Sequence, residues 1–173
     1  QFAPWVGALI SDIQHNILVV AAEGREEESI KRLARVGYDR VLGFLEGGFA
    51  SWQSEKREFD TVKRINADEL AAVCSSNPTA VVLDVRKTSE NYSERLPSAV
   101  NLPLDNLNVR FNELPETDTL YIHCAGGYRS MIFASILKSR GVHNIVDVRG
   151  GFGAIKNAGL QEVTAYVCPS TML

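Results

Sequence analysis

Cys124 opens the run Cys124-Ala125-Gly126-Gly127-Tyr128-Arg129, with the apolar stretch Leu120-Tyr121-Ile122 before it and a helical pattern from about Arg129 onward. That order predicts a thiol at the C-terminal end of a strand, on a glycine-rich loop that becomes a helix N-terminus. Backbone N–H groups in such a loop form a ring that binds anions and lowers the pKa of a thiol placed inside it. The chemistry that suits it is covalent cysteine catalysis on an anionic substrate. Gly126 and Gly127 supply the freedom for positive φ that a tight cradle needs. Arg129 stands where a guanidinium can hold an anionic group bidentately. Tyr128 is expected to line the entrance. Asp84 and Arg86 end another strand and are expected to orient the loop through an ion pair or hydrogen bonds.

Other reactive side chains read as structural. His123 precedes the nucleophile and invites a general-base reading, but strand alternation turns its side chain away from its neighbours. Cys74 falls on a helical pattern and is expected to pack in a core. Cys168 lies in a patternless tail. His15 and His143 occupy loop positions, and no metal-ligand spacing is present. The run Arg25-Glu26-Glu27-Glu28 reads as the solvated first turn of a helix, where acids suit the dipole. Neither Gly47-Gly48 nor Gly150-Gly151 is followed by the Lys-Ser/Thr of a phosphate loop, so both read as turns.

An internal repeat organises the elements that must position these residues. Leu18-Val19-Val20-Ala21-Ala22-Glu23-Gly24-Arg25 answers Leu120-Tyr121-Ile122-His123-Cys124 and its loop to Arg129. A helix-period segment follows each, ending at Gly37 and at Gly141. Short strand patterns follow, Val41 to Leu45 and Asn144 to Val148. Gly47-Gly48-Phe49 and Gly150-Gly151-Phe152 close the two copies. In this reading Ala22 takes the place of Cys124, and copy one has lost both nucleophile and cradle. The charged stretch 54–60 reads as a linker. Asn66 and Glu69 form a capping-box helix start. Residues 80–84, 99–103 and 119–123 are further strand patterns. Strands alternating with helices predict an α/β fold with a parallel sheet covered on both faces.

Copy one has no counterpart to residues 66–101, so residues 1–60 read as half a domain before a complete module over 61–173. A lone half exposes a sheet edge and an apolar face. Either the missing half lies upstream in a longer chain or another surface covers the gap. The start at Gln1, within folded-looking sequence, points to a fragment or a processed product.

Bulk properties narrow the partners. The 173 residues carry 18 Lys+Arg against 21 Asp+Glu, a net charge of −3. With no basic stretch free of acids, nucleic acid is a poor partner. No apolar run approaches membrane-spanning length. Three cysteines without a CxxC pair argue against a disulfide framework and fit a reduced, cytoplasmic setting.

At Asp84-Val85-Arg86, Asn101-Leu102-Pro103, Cys124 to Arg129 and Gly150-Gly151-Phe152, the chain resembles the rhodanese (sulfurtransferase) family over roughly residues 65–160. Where many members carry Gly-His-Ile-x-Gly-Ala, this chain has Glu94-Arg95-Leu96-Pro97-Ser98-Ala99, which alters the rim of the site. Residues 1–55 resemble the C-terminal half of a degenerate rhodanese module. The pair also resembles the tail of fusions with an N-terminal metallo-β-lactamase-fold persulfide dioxygenase, whose iron-binding part is absent from this sequence. The resemblance implies a five-stranded parallel sheet flanked by helices. It implies sulfur transfer through a Cys124 persulfide, from thiosulfate or a low-molecular-weight persulfide to a thiol or another thiophile. Ala125, Gly126, Gly127, Tyr128 and Arg129 would then bind the donor. The intermediate needs no metal or cofactor in this chain.

Two other functions compete. Cysteine phosphatases and arsenate reductases share His-Cys before and Arg-Ser after the loop. They place one residue more between Cys and Arg than the four here, Ala125 to Tyr128. A non-enzymatic docking or regulatory module suits residues 1–60 better than residues 65–160, whose loop is intact.

Overall fold

A computed structural model describes residues 2–10 and 12–168. The chain forms two compact units, Gln1–Asp60 and Thr61–Leu173.

The first unit contains α1 (Phe2–Leu9), β1 (Ile17–Val19), α2 (Glu26–Ala34), β2 (Val41–Phe44) and α3 (Gly48–Ser54). β1 and β2 pair in parallel, with a register irregularity between Ile17 and Leu18. α2 starts with three glutamates and ends with Lys31 and Arg32, the charge order the helix dipole favours. Glu28 pairs with Arg25 and Arg32, and Glu27 with Lys31, so the acidic run is a solvated helix start laced by ion pairs. The inner face gathers Val6, Val19, Leu33 and Tyr38 into a small core. The Tyr38 hydroxyl donates to the Ile10 carbonyl at 2.6 Å.

The second unit runs β3 (Lys63–Ile65), α4 (Ala67–Ser76), β4 (Val81–Asp84), α5 (Thr88–Ser93), β5 (Val100–Asn101), two short 3-10 turns, β6 (Leu120–His123), α6 (Tyr128–Ser139), β7 (Ile145–Val148) and α7 (Gly151–Ala158). The five strands pair in parallel in the order β3-β7-β6-β4-β5. This is the expected α/β sheet. The central strands are apolar on both faces, as a sheet sheathed by helices requires, and every residue of β7 is buried. α6 packs on β6 and β7, while α4 and α7 pack together. Ile65, Leu70, Val82, Leu96, Val148, Phe152 and Ile155 form one core cluster. The capping box at α4 forms as expected, with the Asn66 N–H donating to Glu69 Oε2 at 2.7 Å.

Two elements lie outside the sequence expectation. β3 reads Lys-Arg-Ile; as an edge strand it buries only Ile65, too little for periodicity to register. α5 spans six polar residues and fixes Glu90 and Asn91. Among the described residues no helix is long and apolar enough to cross a membrane.

Candidate active site

All five strands are parallel, so their C-terminal ends meet along one rim, the usual site of chemistry in open α/β sheets. Cys124 follows β6 on that rim and is 1% exposed. Its Sγ accepts a hydrogen bond from the Gly127 N–H at 3.1 Å. Gly127 has φ +100° and caps α6, whose first residue is Tyr128. Gly127 therefore needs to be glycine, whereas Gly126 adopts ordinary negative φ. The expectation of positive φ at both glycines is corrected to one.

Burial pushes the Cys124 thiol up, but hydrogen bonds outweigh it and hold the pKa below the ordinary value. The donors are the Ser130 N–H and hydroxyl, then the Gly127 and Gly126 N–H groups. The Ser130 hydroxyl is fully buried and has no partner of strict hydrogen-bond geometry, so its pull on the sulfur is through an imperfectly aligned contact. Ser130 is absent from the sequence reading of the site. Its signal was a hydroxyl residue in the first turn of the helix that the loop feeds.

The Gly150-Gly151 turn holds the loop from behind. A Cβ on Gly151 would stand 2.3 Å from the Cys124 carbonyl oxygen, so the backbone approaches there only because Gly151 lacks one. The Phe152 N–H donates to that oxygen at 2.6 Å and the Gly153 N–H to the Ala125 oxygen at 3.1 Å. Unit one repeats the contact, with a Cβ on Gly48 standing 2.3 Å from the Ala21 carbonyl oxygen. Ala21, not Ala22, is thus the counterpart of Cys124. Two adjacent alanines left the sequence register ambiguous by one residue, and the glycine contact resolves it.

Arg129 lies in the first turn of α6. Its guanidinium is engaged bidentately by Glu90, with Nη1–Oε2 at 2.5 Å and Nη2–Oε1 at 2.8 Å. The Arg129 bond lowers the Glu90 pKa despite partial burial. Glu90 also accepts from the Lys87 N–H at 3.1 Å, capping α5. Sequence reasoning missed Glu90, because nothing local to α5 announces a partner so distant in the chain.

Asp84 and Arg86 form a second, buried pair. Arg86 Nε lies 2.9 Å from Asp84 Oδ1, and Nη2 lies 2.6 Å from Oδ2. Asn91 Nδ2 donates to Asp84 Oδ2 at 2.9 Å, and Arg86 donates to the Glu94 carbonyl at 2.8 Å. Burial raises the Asp84 carboxyl, but Arg86, His123 and Asn91 bring it below the ordinary carboxylate value. Arg86 Cζ sits 4.0 Å from the centre of the Phe152 ring, on the helix that buttresses the loop. Asn101 donates to the Asp84 and Arg86 carbonyls at 2.8 and 3.0 Å. Asp84, Arg86 and Asn101 together brace the strand ends beside the loop.

His123 is fully buried, stacks on Phe152 and lies 3.9 Å from Asp84. Burial lowers its pKa, and its Nδ1 lies 3.3 Å from the Cys124 carbonyl oxygen. Ala125, Gly126 and Tyr128 face solvent around the thiol, Tyr128 at 68% exposure. Cys74 is half-buried on α4 against the core, and burial pushes its thiol up despite a bond to Gln161. Cys168, His15 and His143 are exposed.

The chain matches the rhodanese-like domain model over residues 66–158. A relative from Bacillus subtilis (strain 168), named as a sulfur carrier protein, is 31% identical over 91 residues, covering 53% of this chain and 49% of its own. The chain thus spans about half the length of that curated relative. A sulfurtransferase of Allochromatium vinosum is 26% identical over 102 residues, covering 59% of this chain and 95% of its own. A solved thiosulfate sulfurtransferase from Pseudomonas aeruginosa shares the fold, with a TM-score of 0.53, 24% identity and coverage of 94% of this chain and 35% of that one. With its parallel five-stranded sheet, its cysteine loop and a family model matched over more than half its length, the chain belongs to the rhodanese-like domain family.

Proposed function

We propose that this chain is a sulfurtransferase that moves sulfane sulfur from thiosulfate or a low-molecular-weight persulfide to a thiophilic acceptor. The observation that carries the reading is a buried thiol held below its ordinary pKa by amide and hydroxyl donors at a helix N-terminus. An ordinary thiol is only a few per cent ionised at neutral pH, and transfer needs the thiolate.

With thiosulfate, the Cys124 thiolate attacks the outer sulfur, a new S–S bond forms, and the donor's own S–S bond breaks. The bonding pair leaves with sulfite, and Cys124–S–S⁻ remains. No net electron or proton enters. An acceptor thiolate or sulfite then attacks the terminal sulfur, and Cys124 recovers its thiolate. The Gly126, Gly127 and Ser130 donors hold the negative charge on either sulfur and need no rearrangement between the steps. The Glu90–Arg129 and Asp84–Arg86 pairs keep the loop in this shape. Since Cys124 is 1% exposed, donors must present a slender terminal sulfur end-on.

Unit one fits a degenerate half module. Its strands leave Leu18, Leu42 and Phe44 exposed, whereas the matching β6 and β7 are largely buried. A docking role suits this unit. The missing half, or a metallo-β-lactamase-fold domain carrying iron, would be its neighbour in a longer chain, in a reducing cytoplasm.

The test is intact mass before and after thiosulfate. One added sulfur atom, mapped to the peptide holding Cys124 and lost on addition of cyanide or a thiol, is expected. Unchanged mass with both thiosulfate and a persulfide donor overturns the reading.

A further inference from the structure

Taking the proposed sulfur transfer as its basis, we infer that Arg64, on edge strand β3, forms a second anion subsite that binds the charged leaving end of the donor. The cradle around Sγ is filled by the reacting sulfur. A donor such as thiosulfate carries a further anionic group, which must lie beyond the cradle as the sulfur enters. Arg129, the nearest arginine in sequence, has both terminal nitrogens engaged by Glu90 and its side chain is 16% exposed.

Arg64 is placed differently. It faces Asp147 across the β3–β7 pairing, and its Nε lies 2.8 Å from Asp147 Oδ2. Asp147 is fully buried, so the pair anchors the guanidinium. The side chain is 38% exposed, and among the described residues no hydrogen bond engages its terminal amino groups. One of these, Nη2, stands 3.7 Å from the point where a Cβ on Gly127 would be. Gly127 is the residue whose N–H holds Sγ. The Arg64 amino group therefore lies against the loop residue whose N–H binds the reacting sulfur. An anchored guanidinium with free, solvent-facing N–H groups at the loop edge suits a sulfonate or carboxylate.

The subsite favours donors whose leaving group is anionic: thiosulfate, whose product is sulfite, or a persulfide bearing a carboxylate. It gives little to a donor with an uncharged leaving end. As Arg64 touches the donor and not the sulfur, its loss acts on donor affinity rather than on the limiting rate.

The test follows sulfur loading of Cys124 in the full chain by quenched intact mass, over a range of donor concentrations. The donors are thiosulfate and benzyl persulfide, whose leaving end bears no charged group besides the departing sulfur. Arg64→Ala alone would leave Asp147 a buried unpaired carboxylate, so it is combined with Asp147→Asn. The double variant is expected to lose about tenfold in loading efficiency with thiosulfate, through KM, and less than about twofold with benzyl persulfide. Arg64→Lys keeps the charge and is expected to stay within about threefold of the parent with both donors. Arg64→Gln keeps a donor toward Asp147 without the charge and is expected to show the same selective loss, so a folding failure of the double variant leaves the test intact. Equal losses with both donors, or no loss with thiosulfate, overturn the subsite. Parent protein that takes sulfur from neither donor overturns the sulfurtransferase reading itself, and the subsite with it.

Discussion

The two units build the same turn and put opposite chemistry on it. Registered on Gly48 and Gly151, the loop Ala21-Ala22-Glu23-Gly24-Arg25-Glu26-Glu27 matches Cys124-Ala125-Gly126-Gly127-Tyr128-Arg129-Ser130. The backbone agrees, since Gly24 and Gly127 both take positive φ, +79° and +100°. The side chains do not. Unit one sets an alanine in place of Cys124 and glutamates in place of Gly126, Arg129 and Ser130. Three positions that are neutral or cationic in the cysteine loop are carboxylates in unit one. The fold's need for a close strand-to-turn approach survives without the chemistry, so the glycine pair is a structural constraint. The cysteine, arginine and serine are separable from it.

The largest expected effect comes from exchanging the nucleophile. Cys124→Ser should abolish sulfur loading, a loss of at least about a thousandfold, because serine's hydroxyl is not ionised at neutral pH. Cys74→Ser and Cys168→Ser should retain most of it. Adding Ala21→Cys to the Cys124→Ser chain should restore nothing, since the Ser130 hydroxyl has no like counterpart in unit one and glutamates stand at the positions of Gly126 and Arg129. Peptide mapping after thiosulfate reads each variant. Sulfur on residue 21 would show that backbone shape alone makes the site and would break the comparison.

Next in size is the buried pair that has no counterpart among the described residues of unit one. Asp84→Asn leaves Arg86 buried without its carboxylate and should cost about 3–5 kcal/mol of stability, measured by urea unfolding. The sign with pH follows from the lowered carboxyl. In the pH range below its ordinary value of 3.8 the unfolded chain binds the extra proton, so the pair's contribution is complete above that value and is lost as pH falls through the lower folded value. The Asp84→Asn chain should lose less stability than the parent across that acid window. A parallel fall in both would remove the assigned role from Asp84.

What the sequence made legible, and what it did not, divides along range. The strand before Cys124, the helix after it and the Asn66–Glu69 cap are local patterns, and all were readable from residue types within a few positions. The five-strand sheet was readable only through family resemblance, because β3 is three residues with one buried side chain. Glu90 and Arg64 escaped because their partners, Arg129 and Asp147, lie far along the chain, and a short polar helix or a charged edge strand carries no periodic signal. The displaced register, Ala22 for Ala21, escaped because only a backbone contact distinguishes two neighbouring alanines.

The glycine pair itself offers the next effect. Gly48→Ala and Gly151→Ala place a Cβ at the same 2.3 Å clash, on residues with φ of +59° and +56°. Each should cost about 1–3 kcal/mol in thermal or urea unfolding. Only the second should also slow sulfur loading, since the carbonyl it displaces belongs to Cys124. Equal catalytic losses from both would show that the loops do not act separately.

The smallest effect is the most specific. Ser130 is matched by Glu27, and its hydroxyl is one of two contributions that this residue makes to the thiolate; its N–H persists in any variant. Ser130→Ala deletes a fully buried hydroxyl that lacks a well-aligned partner, so stability should change little. The Cys124 pKa should rise toward its ordinary 9.0, because a hydrogen bond to the charged form is lost. Loading should fall about threefold near neutral pH, less than a well-aligned charge-assisted bond would give, and approach the parent rate in alkali, where the thiol of either protein is ionised. The measurement is the loading rate against pH for the two proteins. A uniform fall at every pH would mean that Ser130 shapes the loop and does not stabilise the thiolate. An upward-shifted inflection would place the hydroxyl among the donors that separate the reactive loop from its acidic counterpart.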